Sequence, residues 1–253
     1  MIWAGSAGPR GAGPGWGENR EIDDEDQCAQ SVMSDARQVI EAGRRAIVAL
    51  EQRIRNHPFL TALEEGRIPR ERLALFASQQ GHIIESDLRS VAVIVGRTPS
   101  LASRDFLMGM LQGERAALAA LEPFGRAIGC AGEATAAEPL PGAFAYSAFV
   151  TWLALFGSPA EFVGAFLVNL EAWGANCGRM SRALQGRYGL PKEAVAFFDL
   201  FASAPPGFEE QGLAVVAEGL AQGVPAGAIH RAARLLQGYE LLFWDTLHQA
   251  SAG

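Results

Sequence analysis

The sequence predicts an all-α fold. Apolar residues recur at three- and four-residue steps along most of the chain, the spacing of helices that bury one face. The clearest case is the C-terminal segment, with Ala232, Leu235, Leu236, Leu242, Phe243 and Leu247. No segment shows the sustained alternation of a strand, and no repeat of roughly 20 to 50 residues is present. A hydrophobic content of 49% in 253 residues is ample for one core.

The chain is predicted to consist of a tail and one helical domain. Residues 1–20 are rich in Gly and Pro, a composition that buries too little apolar surface to offset the entropy of ordering. We therefore expect residues 1–20 to be disordered and residues 21–253 to form a single domain. Acidic residues at 21–26 complement the dipole of a first helix that starts there.

Proline, serine and glycine place most of the helix boundaries. Pro58 and Pro69 each open a helix after a break. Ser158 is an N-cap followed by Pro159 at the first helical position, and Pro123 predicts a kink or break inside a long helix. Helices are predicted over residues 21–55, 58–65, 69–95, 101–128, 144–156, 159–188, 190–202, 209–222 and 226–250.

Charge and cysteine content narrow the class of function. A net charge of -7 with 21 Lys plus Arg argues against nucleic acid or an anionic membrane as the main partner. Cys28, Cys130 and Cys177 are odd in number and widely spaced, so neither a disulfide framework nor a thiolate metal site is indicated. No apolar run reaches the roughly 18 residues of a membrane span, and no signal peptide is apparent. We expect a cytoplasmic protein with a small-molecule substrate.

Glu240 is the first candidate site residue. It lies three and four residues before Phe243 and Trp244 and so shares their side of the last helix. A carboxylate there is costly to bury unless it is hydrogen-bonded or has a raised pKa. Two interpretations stay open: a boundary glutamate that reaches water, or a buried functional carboxyl group.

Glu171 is the second candidate. It lies in a segment that is apolar nearly all round, with Phe166, Leu167, Val168, Leu170 and Trp173. This pattern predicts that Glu171 is buried. It would then be either paired with an arginine or backbone group, or a pocket acid, base or ligand.

A metal site is possible but not favoured. His82 with Glu85, and Asp245 with His248, have the i, i+3 spacing that lets two side chains meet one ion. Carboxylate-bridged di-iron bundles use a Glu-x-x-His motif on each of two helices, and no such motif occurs at the glutamates of these helices. Gly-x-Gly-x-x-Gly, P-loop, Gly-x-Ser-x-Gly and His-Glu-x-x-His motifs are also absent.

Several segments together resemble the TenA/PqqC family. They are Ile54-Arg55-Asn56-His57-Pro58-Phe59, Gly66-Arg67-Ile68-Pro69, Phe76-Ala77-Ser78-Gln79-Gln80, residues 164–173, and Tyr239-Glu240-Leu241-Leu242-Phe243-Trp244-Asp245. The similarity covers residues 47–250. It implies a haem-oxygenase-like bundle of helices around a central buried pocket. The apolar helix faces further predict a homo-oligomer, a dimer or tetramer.

The resemblance also implies roles for particular residues. The thiaminase-II branch hydrolyses aminopyrimidines, and Glu240 matches the glutamate of its last helix, while Glu171 falls at its cysteine position and Gln80 at its aspartate position. Under this hypothesis Glu171 and Glu240 act as acid and base without a metal. The residues expected to bind substrate are Gln80, His82, Glu85, Trp173 and Phe243.

Two alternatives remain open. Relatives of this fold include a cofactor-free oxidase and di-metal oxygenases, and the second type would hold iron or manganese through Glu85, Glu114, Glu171, Asp245 and His248. The other alternative is a non-catalytic ligand-binding or regulatory protein.

Overall fold

The computed structural model describes residues 18–130 and 137–251, with side chains described from residue 30. These residues form α-helices joined by turns, with no strand among them. The predicted all-α class is therefore confirmed. The helices are α1 Glu18–Ala46, α2 Val48–Arg55, α3 Pro58–Glu64, α4 Leu73–Arg97, α5 Leu101–Ala127, α6 Pro141–Phe156, α7 Pro159–Gly186, α8 Ala196–Ala202, α9 Phe208–Ala221 and α10 Ala226–Ser251. Short 3-10 turns at Arg70–Arg72 and Lys192–Val195 precede α4 and α8.

The N-terminal part differs from the sequence prediction in two ways. Residues 1–17 of the predicted tail lie outside the described residues, and residues 18–20 already belong to α1. The single helix predicted over residues 21–55 is interrupted at Ile47, whose φ of -113° and ψ of 10° are not helical. Ile47 is buried in the core. No proline or glycine marks this position, so local sequence signals could not reveal the break.

Pro123 does not break its helix. α5 continues through it to Ala127. A proline removes one backbone hydrogen bond, to the carbonyl group four residues earlier. That carbonyl belongs to Ala119, which is exposed, so water can replace the lost donor.

The predicted cap of α7 is confirmed. The Ser158 side chain accepts a hydrogen bond from the backbone N–H of Glu161, and the Glu161 side chain accepts one from the backbone N–H of Ser158. This reciprocal capping box satisfies two N–H groups that the first turn leaves free. α3 is capped in a less common way, because Nδ1 of His57 accepts the backbone N–H of Phe59.

α7 is the central helix, and it is buried along most of its length. α10 packs beside it, and Gly164 permits the close approach, since a Cβ there would lie 2.5 Å from the Ile229 side chain. An aromatic cluster fills the adjoining core. Phe76 of α4 contacts Phe198 of α8 at 5.4 Å and Trp244 of α10 at 6.4 Å between ring centroids. These contacts fix the rotation of α10 and hence the direction in which Glu240 points.

No helix within residues 18–130 and 137–251 is both long enough and apolar enough to cross a membrane.

We expect the protein to self-associate through α6. Trp152, Leu155 and Phe156 are 48%, 45% and 70% exposed and form an apolar surface, which on a monomer would be unfavourably hydrated. The double substitution Trp152→Glu with Phe156→Glu should convert an oligomer into a monomer in sedimentation velocity at micromolar concentration. Leu101→Glu, an equally exposed apolar position on α5, is the matched control. A wild-type protein that sediments as a monomer would contradict this prediction.

Candidate active site

A small cavity lies at the centre of the bundle, between α4, α5, α6, α7, α8 and α10. We call it the inner cavity. Its volume is about 40 Å³, enough for about three water molecules. Its aromatic walls are Phe166, Trp173, Phe201 and Phe243, and its polar residues are Gln80, Asp87, Glu114, Tyr146, Asn169 and Glu240. Three of these polar residues carry carboxyl groups, and none of the described residues that line the cavity is Lys, Arg or His.

Glu240 is buried, with 2% of its surface exposed. Its Oε2 accepts a hydrogen bond from Nδ2 of Asn169 at 2.6 Å, and its Oε1 accepts one from Nε1 of Trp244 at 3.0 Å. Burial raises the pKa of Glu240 to about 8, although both hydrogen bonds oppose this rise. Of the two interpretations left open by the sequence, the glutamate that reaches water is excluded, because Glu240 is buried.

Asn169 holds Glu240 in place from α7. Its Nδ2 group donates to Oε1 of Gln237 at 2.7 Å as well as to Glu240, and its Oδ1 accepts from the hydroxyl of Tyr146 at 3.0 Å. Every polar atom of the Asn169 side chain is therefore used. These bonds hold the carboxyl group in one orientation, while Nε2 of Gln237 has no hydrogen-bond partner among the described residues.

Asp87 and Glu114 form a second carboxyl pair. Burial, and next the negative charge of Glu114, raise the pKa of Asp87 well above its ordinary range, although the Ser147 hydroxyl donates to its Oδ1 at 3.3 Å. Glu114 as a residue is only half-buried, yet burial of its carboxyl group raises its pKa to about 7. Two neighbouring carboxyl groups that cannot both ionise share one negative charge. At neutral pH we expect Glu114 to carry it.

Three of the predicted substrate-binding residues meet at Glu240. Gln80, Trp173 and Phe243 all line the inner cavity. Gln80 is buried, and its Oε1 has no hydrogen-bond partner among the described residues. An acceptor left unpaired in a buried site calls for a donor from a ligand or water.

His82 and Glu85 do not reach the cavity. The cavity face of α4 carries Gln80, Ile83 and Asp87, which follow each other at helical spacing. His82 and Glu85 lie about 200° and 140° around the helix from Gln80, at 100° per residue. A ring nitrogen of His82 lies 2.6 Å from the Ala137 carbonyl oxygen, and Glu85 is exposed.

Glu171 is not buried, and the expectation of its burial is wrong. Its side chain is 50% exposed and pairs with Nε of Arg44 at 3.2 Å and Nη2 of Arg55 at 3.3 Å. Arginine pairing, one of the two alternatives, is thus observed. The α7 residue that faces Glu240 is Asn169, two positions earlier. Two residues correspond to about 200° of helix rotation, which turns Glu171 away from the inner cavity.

The structure does not assemble the alternative di-metal ligand set. Within the described residues, no three His, Cys, Asp or Glu side chains lie close enough together to hold a metal ion. Glu85 is exposed, and Oδ1 of Asp245 accepts from Nε2 of His57 at 3.0 Å. His248 contacts the His57 ring, at 5.8 Å between centroids.

Sequence reasoning missed Asp87, Asn169 and Tyr146. A signal existed for the first two. Asp87 follows Gln80 by seven residues on a helix whose other residues at that face are apolar, and Asn169 is a polar residue in the same apolar segment as Glu171. Tyr146 had no comparable signal, because its role depends on how α6 packs against α7.

A larger cleft opens beside the inner cavity. We call it the outer cleft. Its volume is about 490 Å³, and its walls come from α5, α7 and the connection between α8 and α9. The two spaces share Glu114, Phe166, Leu170 and Phe201 in their linings. The outer cleft therefore adjoins the inner cavity, with Glu114 between them.

The fold and the site define a class of protein, an all-helical bundle that encloses a small acidic pocket. Residues 44–199 match the model of the TENA/THI-4/PQQC family, and the chain belongs to this family. The match ends before α10 begins. The place of Glu240 in the site therefore rests on the structure.

Solved structures confirm the fold. A TenA homologue from Pyrococcus furiosus is similar with a TM-score of 0.67 and 18% identity, over 83% of this chain and 99% of that one. A candidate TenA-like thiaminase from Sulfolobus solfataricus P2 has a TM-score of 0.63 and 12% identity, over 84% and 96%. A domain of unknown function with a heme oxygenase-like fold from Shewanella denitrificans OS217 has a TM-score of 0.65 and 14% identity, over 86% and 92%. No curated protein matches the chain.

Proposed function

We propose that the protein is an enzyme that removes the amino group of a small nitrogen-containing aromatic ring of the aminopyrimidine type. It does so by hydrolysis of the carbon–nitrogen bond, without a metal. The observation that carries this proposal is the inner cavity, which has three carboxyl groups and no cationic side chain among the described residues that line it. Such a site favours a ligand that donates hydrogen bonds or carries positive charge. A ring amine with a protonatable ring nitrogen has both properties.

Glu240 supplies the general acid. With a pKa of about 8 it is mostly protonated at pH 7. Both its oxygens already accept hydrogen bonds, from Asn169 and Trp244. Its own proton is therefore free to point into the cavity, and the same two donors stabilise the carboxylate that remains after proton transfer.

Glu114 supplies the general base. Its pKa of about 7 makes it partly ionised at neutral pH, and it lines both the inner cavity and the outer cleft. Glu114 accepts a proton from water as the water oxygen bonds to the amine-bearing ring carbon, while Glu240 protonates the ring nitrogen. The proton on Glu114 then passes to the amine, the carbon–nitrogen bond breaks and ammonia leaves. The cationic hydroxylated ring that remains returns one proton to the Glu240 carboxylate, which restores the acid and leaves a neutral product. This assignment retains a pair of glutamates but replaces Glu171 by Glu114.

Gln80 and the aromatic walls orient the substrate. The unpaired Oε1 of Gln80 is a suitable acceptor for the ring amine. Trp173 and Phe243, 6.1 Å apart between ring centroids, offer flat apolar faces for a heteroaromatic ring. The inner cavity holds only the amine-bearing edge of such a ring, because its volume is about 40 Å³.

The proposal is tested by measuring ammonia release from 4-aminopyrimidines that differ at C5, in the presence of a chelator. We expect turnover by the wild-type protein and a loss of about 10²-fold or more for Glu114→Gln, the usual scale for removing a general base. If aminopyrimidines raise the melting temperature but release no ammonia, a non-catalytic binding protein is the better description. Turnover that requires added iron or manganese would instead support an oxygenase.

A further inference from the structure

The outer cleft indicates that the substrate has a second part besides its amine-bearing ring. We infer that the substrate is amphipathic, with an uncharged apolar substituent that occupies the outer cleft while its amine-bearing ring edge reaches Glu240. This inference rests on the proposed function, because it assigns both cavities to one molecule. It names the class of substrate, a heteroaromatic amine with a bulky or extended hydrocarbon group.

The position and size of the outer cleft support a single ligand across both spaces. The two spaces share Glu114, Phe166, Leu170 and Phe201, so they are neighbours with only these side chains in common between them. A cleft of about 490 Å³ lies within the usual range for organic ligands. The inner cavity alone, at about 40 Å³, is too small for a whole heteroaromatic ring.

The chemistry of the lining selects an apolar group. Apolar residues contribute much of the walls, among them Phe106, Met110, Leu200 and Phe208. Within the part of the chain that the structure describes, no Lys, Arg or His lines the outer cleft. Its acidic residues, such as Asp105, would repel an anion. A phosphate or carboxylate on the substituent is therefore disfavoured, whereas a hydrocarbon chain gains free energy from burial.

Two glycines of α5 keep the outer cleft open. Gly109 and Gly113 lie one helical turn apart within α5 and line the cleft. A Cβ at either position would meet no atom within 4 Å, so close packing does not require glycine there. Glycine lowers helix stability relative to alanine, so these two positions carry a cost that a lack of space does not explain. Larger side chains would instead extend into the space that we assign to the substituent.

Binding by calorimetry tests the inference with four defined probes. These are 4-amino-2-methylpyrimidines that carry methyl, butyl, hexyl or phosphomethyl at C5. Each buried methylene should tighten binding by about two- to fourfold, so the hexyl probe should bind about 30-fold or more tightly than the methyl probe. The phosphomethyl probe should bind no better than the methyl probe. Equal dissociation constants for methyl and hexyl, or tightest binding by the phosphate, would overturn the inference.

Substitutions of the cleft glycines test whether the tighter binding of the hexyl probe arises in the outer cleft. In Gly113→Phe and in Gly109→Phe the ratio of the methyl to the hexyl dissociation constant should fall to about threefold or less, because the new ring fills the outer cleft. The ratio is taken within each variant, so damage to the fold or to the inner cavity affects both probes alike. Gly96→Phe is the matched control, since Gly96 is a helical glycine with open space around it and lines neither cavity. An unchanged ratio in both cleft variants would contradict the assignment.

Binding and turnover separate this inference from the proposed hydrolysis. If the hexyl probe binds more tightly but no probe releases ammonia, the substrate class stands and the hydrolytic function fails. If the methyl probe is hydrolysed and the hexyl probe binds no more tightly, only the inference of an amphipathic substrate is overturned. Failure of every probe to bind overturns both.

Discussion

Glu240→Gln should lower kcat for ammonia release by about 10²- to 10⁴-fold, the range expected when a general acid is removed. Glutamine keeps the size of the side chain but cannot donate a proton to the ring nitrogen. The substitution should change kcat more than KM, because proton transfer matters in the transition state. The measurement is steady-state kinetics from pH 5 to 9. In the wild-type protein we expect activity to fall above pH 8, as Glu240 loses its proton.

Two further variants show whether the effect belongs to this carboxyl group. Glu85→Gln removes an exposed glutamate on α4 that lies outside the inner cavity and should retain wild-type kinetics. Glu171→Gln tests the pair predicted from the sequence. Glu171 lines the outer cleft but not the inner cavity, and it is paired with Arg44 and Arg55. Its loss of kcat should therefore be at least tenfold smaller than that of Glu240→Gln. Equal losses of kcat in Glu171→Gln and Glu240→Gln would instead support the pair of catalytic glutamates that the sequence predicts.

The second large effect concerns stability. Burial raises the pKa of Glu240 from its ordinary value of 4.5 to about 8, so the folded protein holds this proton more tightly than the unfolded chain. The free energy of unfolding should therefore fall as pH rises from about 4.5 to about 8, and level off above that. For Glu240 alone the fall is on the order of 3–5 kcal/mol at most. Asp87 and Glu114 act in the same direction, since their pKa values are also raised.

The difference between wild type and Glu240→Gln isolates this contribution. Burial lowers the pKa of His57 below its ordinary value of 6.5, so His57 increases the free energy of unfolding as pH rises towards 6.5. This opposing effect is the same in both proteins and cancels in the difference. At pH 5 the variant should be less stable by about 1–3 kcal/mol, because its amide N–H₂ faces the N–H donor of Trp244 or Asn169. By pH 9 this deficit should shrink or reverse. Urea unfolding at several pH values measures it.

The control for stability is again Glu85→Gln, whose free energy of unfolding should follow the wild-type curve at every pH. Parallel curves for wild type and Glu240→Gln between pH 5 and 9 would mean that Glu240 ionises as freely in the folded protein as in the unfolded chain. That result would remove the basis for its role as an acid at neutral pH.

Several features follow from the sequence alone, because they depend on neighbours within a few residues. The all-α class comes from helical spacing, and the cap at Ser158 comes from a local motif. Glu240 was found because Phe243 and Trp244 share its side of one helix, and all three are buried. The family was recognised from short segments in order along the chain and is shown by the match over residues 44–199.

Only the tertiary structure decided which polar residues meet. Helical spacing gives the angle between two residues of one helix, but not how that helix is rotated against its neighbours. Asn169 and Glu171 are both polar residues in one apolar segment, and packing of α7 against α10 turned Asn169 toward Glu240. The approach of Asp87 to Glu114 joins α4 to α5, and the bond from Tyr146 to Asn169 joins α6 to α7. Such contacts between helices depend on side-chain packing across the whole core, which no local pattern specifies.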